Sequence, residues 1–80
     1  MQKKEYNKDI LKNNLIHLRK KKNLSQRELS EEIGIKRCTI AKYEEPRGNV
    51  ITIENLIKYC NFFKISVDKI VTCNLSYDRL

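Results

Sequence analysis

Apolar residues return at helical spacing along most of this 80-residue chain. Leu11, Leu15 and Leu18 recur every three or four positions, which predicts a first helix from about Asp9 to Lys22. The preceding residues 1–8 (MQKKEYNK) lack that period and read as a basic, frayed arm. Asn23 breaks the first helix. Ser25 and Glu28 then stand three apart, the spacing at which each side chain satisfies a backbone N–H left free at a helix start. The second helix begins there and buries Leu29 and Ile33, and a third starts near Lys36 and buries Ile40 and Tyr43. Glu45, Pro46, Arg47, Gly48 and Asn49 make a loop with the chain's one proline. Thr52 caps a fourth helix whose apolar set is Ile53, Leu56, Ile57, Cys60 and Phe63. Ser66 opens a short fifth helix that closes the core with Val67, Ile70 and Val71.

These elements predict an all-α, compact five-helix domain over residues 9–71, with residues 72–80 as a tail in which only Leu75, Tyr77 and Leu80 are able to dock. No internal repeat, low-complexity tract or second domain interrupts the pattern. The corner between the second and third helices has its own signature. A turn this short needs one residue at positive φ, which Gly34 adopts without strain, and small Ser30 suits a close helix crossing. Around that corner Gln26, Leu29, Ile35, Ile40, Tyr43 and Glu44 fall at fixed offsets, and Lys36, Arg37, Thr39 and Lys42 turn away from the apolar side.

Size and charge narrow the possibilities. A chain of this length holds one core and buries only about 60% of the surface it exposes when unfolded. Seventeen Lys and Arg against ten Asp and Glu leave a net charge of +7, which favours a polyanionic partner because bases displace the counterions condensed on phosphates. The excess is uneven: residues 1–22 carry eight bases and two acids, whereas residues 23–50 balance five against five. No apolar run nears the roughly 20 residues that span a bilayer, and the polar Lys12 and Asn13 interrupt any signal-peptide core, so the chain is expected in the cytosol. Cys38, Cys60 and Cys73 are odd in number and lack C-x-x-C spacing, so reduced thiols are expected rather than a disulfide or zinc framework.

Catalysis finds little footing. There is no Ser-His-Asp set, metal motif or glycine-rich phosphate loop, and the single His17 lies among Lys and Asn. Glu31 and Glu32 are neighbours on one helix and point about 100 degrees apart, a poor acid-base pair. His17 and the three cysteines are four conceivable metal ligands, yet Cys60 belongs to a core stripe and Cys38 to an outward face. No enzyme, cofactor, metal or small-molecule ligand is therefore expected.

The segment QRELSEEIGIKRCTIAKYE, from Gln26 to Glu44, resembles the Cro and phage-repressor type of helix-turn-helix family, the XRE type, with its pattern Q-x-x-L-A-x-x-x-G-[IV], four residues, then [IV]-x-x-[WY]-E. LRKKKNLSQREL resembles the family's lead-in and ITIENLIKYCNFFKISVDKIV its fourth and fifth helices, so the likeness runs from about Ile10 to Val71. Departures are Ser30 for the usual Ala, Cys38 where a polar residue is commoner, and the loop EEPRGN where a shorter one is typical. The resemblance implies a lambda-repressor-like fold whose third helix enters the major groove of double-stranded DNA.

Position by position, the resemblance implies base contacts from Arg37, Cys38, Ala41 and Lys42. Arg37 leads, because its planar fork fits O6 and N7 of guanine, a contact worth roughly 1–3 kcal/mol of discrimination. Lys42 reads a guanine or touches a phosphate, and Cys38 offers an apolar surface to a thymine methyl. Contacts to the sugar-phosphate backbone are expected from Ser25, Gln26, Lys36, Thr39, Tyr43, Arg47 and Asn49. For Ser25 a pure cap is the competing reading, for Tyr43 the core, and for Arg47 an incidental charge on a mobile loop. The resemblance also implies an ion pair between Arg19 and Glu44 that orients the reading helix.

The leading function is a sequence-specific transcriptional regulator of the repressor kind in a bacterial or phage setting. The alternative is an antitoxin-like or other protein-interaction module with secondary or autoregulatory DNA binding. A homodimer on a palindromic operator is expected, since this motif class reads half-sites about 34–36 Å apart. Ile70, Val71, Leu75 and Tyr77 are the candidates for self-contact, unless Leu75 and Tyr77 fold back over their own core.

Overall fold

The structure, a computed structural model, describes residues 7–77. They form α1 (Lys8–Lys21), α2 (Gln26–Ile33), α3 (Arg37–Glu44), α4 (Ile53–Phe63) and α5 (Val67–Thr72), then one 3-10 turn at Leu75–Tyr77. No strand occurs among the described residues, so the chain is all-α with five α-helices. Four helices start on a side chain that accepts orphan N–H groups. Asn7 Oδ1 accepts from Asp9 and Ile10 at 2.9 and 3.1 Å, Thr52 from Asn55 at 3.2 Å, and Ser66 from Lys69 at 3.1 Å. At α2 the box is reciprocal: Ser25 Oγ accepts from Glu28 N at 3.0 Å, and Glu28 Oε1 accepts from Ser25 N at 2.8 Å.

The core gathers Leu11 and Leu15 of α1, Leu29 of α2, Ile35 of the corner, Ile40 and Tyr43 of α3, Leu56, Tyr59 and Cys60 of α4, and Ile70 of α5. α1 packs on α3, α5 and the 3-10 turn, while α2 bridges α3 and α4. Two of the expected apolar sets need correction. Ile53 and Ile57 of α4 are 70% and 45% exposed and Val67 of α5 is 42% exposed, so none belongs to the core. The helix turns Tyr59 inward instead, at 0% exposure, where its ring meets Phe63 edge-on with centroids 6.0 Å apart.

The ends also differ from expectation. Asn7 is a helix cap and Lys8 is helical, so these two residues do not belong to the arm expected over residues 1–8; residues 1–6 lie outside the described residues. At the other end, Leu75 is 7% exposed, and the tail up to it is anchored by Asn14, a polar residue only 1% exposed. Asn14 Nδ2 donates to Ile70 O at 2.7 Å and to Cys73 O at 2.6 Å, and its Oδ1 accepts from Leu75 N at 3.0 Å. Those three bonds satisfy the last carbonyls of α5 and the first N–H of the turn that follows. Ile70, at 0% exposure, and Leu75 are thus spent on the chain's own core and are removed from the expected self-contact. Leu80 lies outside the described residues.

Candidate nucleic-acid interface

The corner between α2 and α3 is built on one backbone angle. Gly34 sits at φ 72° and ψ 31°, its N–H closing α2 on Ser30 O at 3.0 Å. An added Cβ there meets no atom within 4 Å, so the demand for glycine comes from the left-handed angle and not from crowding. Ile35, buried next to it, anchors the corner in the core. From that anchor α3 leaves with Ile40 and Tyr43 inward, which forces the intervening side chains outward at a period of 3.6 residues.

Lys36, Arg37, Cys38 and Lys42 are exposed, and Thr39 and Ala41 are half-buried at the edge of the same surface. Lys36 is the N-cap of α3 but supplies no side-chain cap bond, unlike the caps of the other four α-helices. The positive end of the α3 dipole is therefore left without a side-chain acceptor, beside Lys36 and Arg37. Ser25 and Gln26 at the start of α2, together with Arg19, Arg27 and Arg37, line one open groove. Arg27 was not among the expected contacts. The signal that could have found it is a base one position after Gln26, in the first turn of α2.

An internal network sets the angle of α3. Arg19 Nε donates to Glu44 Oε2 at 2.8 Å, and Arg19 Nη2 donates to Glu44 Oε1 at 2.8 Å. Arg19 Nη1 donates to Leu24 O at 2.7 Å. The fork is bidentate and its two side chains are 11% and 6% exposed, so it ties the last residue of α3 to α1 away from bulk water. The hydrogen bond to Glu44 raises the Arg19 pKa further above its ordinary value, against the opposing pull of burial, so the guanidinium stays charged throughout. Gln26 joins in, with Nε2 donating to Glu44 Oε1 at 3.0 Å. Its amide was expected to face phosphate. One of its two N–H groups is held inside by Glu44, and only the second remains for an outside oxygen.

Tyr43 lies in the core. It is 4% exposed, and its hydroxyl accepts from Asn55 Nδ2 at 2.8 Å, which fastens α3 to α4 and leaves its own O–H to donate elsewhere. Arg47 and Asn49 are exposed on the loop between α3 and α4. That loop is held close to the helix it follows. Gly48 N donates to Glu45 O at 3.0 Å, Lys12 Nζ donates to the same carbonyl, and a Cβ on Gly48 would fall 1.5 Å from Lys42 O. Glycine is required at position 48 by that close approach to the backbone.

The cysteines do not meet: Cys38 is exposed, Cys73 half-buried and Cys60 buried, all three as free thiols, with burial pushing the Cys60 pKa up. Among the described residues no three or more His, Cys, Asp or Glu side chains gather where they could hold a metal ion. No described helix is long and apolar enough to cross a membrane.

Two helices joined at a glycine corner, the second presenting a basic outer face, define a helix-turn-helix domain. A family model described as a helix-turn-helix domain matches residues 13–74. Over 60 residues the chain is 37% identical to the cryptic phage CTXphi transcriptional repressor RstR of Vibrio cholerae serotype O1, covering 75% of this chain and 53% of RstR. The chain thus spans about half the length of that relative. Among solved structures, a HipB–O2 20mer complex superposes with a TM-score of 0.64 at 28% identity, covering 84% of this chain and 92% of HipB's. The chain belongs to the XRE-type helix-turn-helix family of DNA-binding proteins.

Proposed function

We propose that this protein is a sequence-specific regulator of transcription, of the repressor kind, that binds double-stranded DNA by laying α3 in the major groove. The observation that carries the reading is the outward face of α3: Lys36, Arg37 and Cys38 are exposed at a helix start without a side-chain cap, and Lys42 is exposed further along, on a helix fixed from behind by Glu44. Arg37, Cys38, Ala41 and Lys42 meet base edges, with Arg37 on a guanine. Ser25, Gln26, Lys36, Thr39, Arg47 and Asn49 meet the sugar-phosphate backbone and set the register. The similarity to a phage transcriptional repressor and to a HipB–O2 20mer complex supports the same reading. Occupation of an operator is then the whole mechanism, and no covalent step is involved.

The active form on DNA is a homodimer, because one head of this size covers a single half-site and the motif class pairs heads across a two-fold operator. In-vitro selection from random duplexes at a fixed salt concentration tests the proposal. It should return a two-fold related pair of half-sites. Arg37→Ala should relax the preference at one base pair of each half-site, whereas Gln26→Ala should weaken binding to all duplexes alike. Equal effects of both substitutions, or no enriched sequence, would refute the groove assignment.

A further inference from the structure

We infer that the exposed aliphatic ridge of Val50, Ile53 and Ile57 is where a second copy of this chain docks, an inference that rests on the two-headed reading of the operator complex. Four large hydrophobic side chains stand out of the surface among the described residues, and these are three of them, at 66%, 70% and 45% exposure. Ile53 and Ile57 are one turn apart on one face of α4, and Val50 lies just ahead of that helix. The adjoining side of α4 carries Leu56, Tyr59 and Cys60 into the core, and the ridge at the edge of that apolar arc is left uncovered by the described residues. Isolated exposed aliphatics need no explanation, but a contiguous set on a small domain marks a contact surface.

The charges beside the ridge identify the occupant. Glu54 directly follows Ile53 and Lys58 directly follows Ile57, which puts one acid and one base on the same flank of α4. Neither forms an ion pair within the described residues. When α4 lies antiparallel on a second α4 across a two-fold axis, Ile53 of each copy meets Ile57 of the other, and Glu54 of each comes beside Lys58 of the other. The surface is therefore complementary to itself, as an isologous interface requires. A parallel arrangement would set Glu54 against Glu54 and Lys58 against Lys58.

This placement also suits the work of the molecule. The ridge starts at Val50, only a short loop beyond the end of α3, and Gly48 presses that loop onto Lys42 O. Pairing at that end of α4 puts the two-fold axis beside the reading helices, whereas Ile70 and Leu75 are already buried in the core of their own chain. Three aliphatic side chains fall short of the roughly 800 Å² per partner of a standard stable interface. Self-association is thus weak in free solution and completed on the operator, where DNA holds both heads.

Sedimentation of the full chain over a range of concentrations, alone and with a two-fold duplex obtained by selection, tests the inference. Ile53→Glu with Ile57→Glu should weaken self-association by about a hundredfold, since each copy loses two apolar side chains from the contact. Thermal melting of this variant should match the parent, because both side chains are exposed. Glu54→Lys or Lys58→Glu alone should weaken it several-fold, and the two together should restore it. Parental self-association in the double glutamate variant, no recovery in the charge-swapped pair, or a parent that stays monomeric on the two-fold duplex would each overturn the inference. A parent that binds no duplex overturns the DNA-binding reading itself, and is told apart because the sedimentation without DNA is read separately.

Discussion

Replacing Glu44 with alanine tests whether the tie between α1 and α3 holds α3 in place. The carboxylate is 6% exposed and accepts from Arg19 Nε and Nη2, both at 2.8 Å, and from Gln26 Nε2 at 3.0 Å. Without it Arg19 keeps a single acceptor, Leu24 O at 2.7 Å, and the Gln26 amide loses its inside partner. Breaking a buried ion pair from one side costs about 3–5 kcal/mol, because the remaining charge stays out of water without compensation. Arg19 is 11% exposed, so some water reaches it, and the lower end, about 3 kcal/mol, is expected. In a domain this small that lowers Tm by roughly 12–24 °C. Urea unfolding and thermal melting followed by circular dichroism measure both. The paired replacement Arg19→Met with Glu44→Leu should lose far less, since nothing charged is stranded. A loss below about 1 kcal/mol for Glu44→Ala alone would show that solvent screens the pair and that it does not fix α3.

Two further substitutions probe the core. Asn14→Leu should destabilise the domain by about 3 kcal/mol, because Ile70 O and Cys73 O lose their donor and Leu75 N its acceptor in a site 1% exposed. Hydrogen exchange should show the Leu75 amide losing protection, and unchanged protection would contradict the anchoring role. Tyr59→Phe should leave stability unchanged or raise it by up to about 1 kcal/mol, because the Tyr59 hydroxyl is buried without a hydrogen-bond partner and burial, with nearby Glu44, pushes its pKa up. A loss above about 1 kcal/mol in urea unfolding would mean that the hydroxyl has a partner after all.

How much of this was legible in the sequence follows from the range of each interaction. Caps are local, so Ser25 with Glu28, Thr52 and Ser66 mark helix starts from residues three apart, and the positive φ of Gly34 follows from a corner too short for any other residue. The α4 surface was not legible in the same way. Periodicity says that α4 has an apolar side, but Ile53, Leu56, Ile57 and Cys60 span an arc wider than its neighbours cover, and only the packed helices decide that Tyr59 goes in and Ile53 stays out. Asn14 was invisible because its partners are 56 to 61 residues away, and an asparagine in a Lys- and Asn-rich helix looks like any solvated side chain. The Arg19–Glu44 pair, 25 residues apart, was expected only through a family resemblance. On the outer face of α3, exposure of Arg37 and Lys42 was legible from the apolar positions facing away from them. The inward bond of Gln26 and the Asn55 partner of Tyr43 were not, since both depend on side chains from other helices.

Methylation interference on a selected duplex tests the central claim most directly. A methyl group on guanine N7 projects into the major groove, and one on adenine N3 into the minor groove. If α3 reads the major groove through Arg37, N7 methylation of one guanine in each half-site should abolish binding, and Arg37→Ala should make binding indifferent to that methyl. Interference confined to adenine N3, or an N7 effect that survives Arg37→Ala, would contradict the placement of α3.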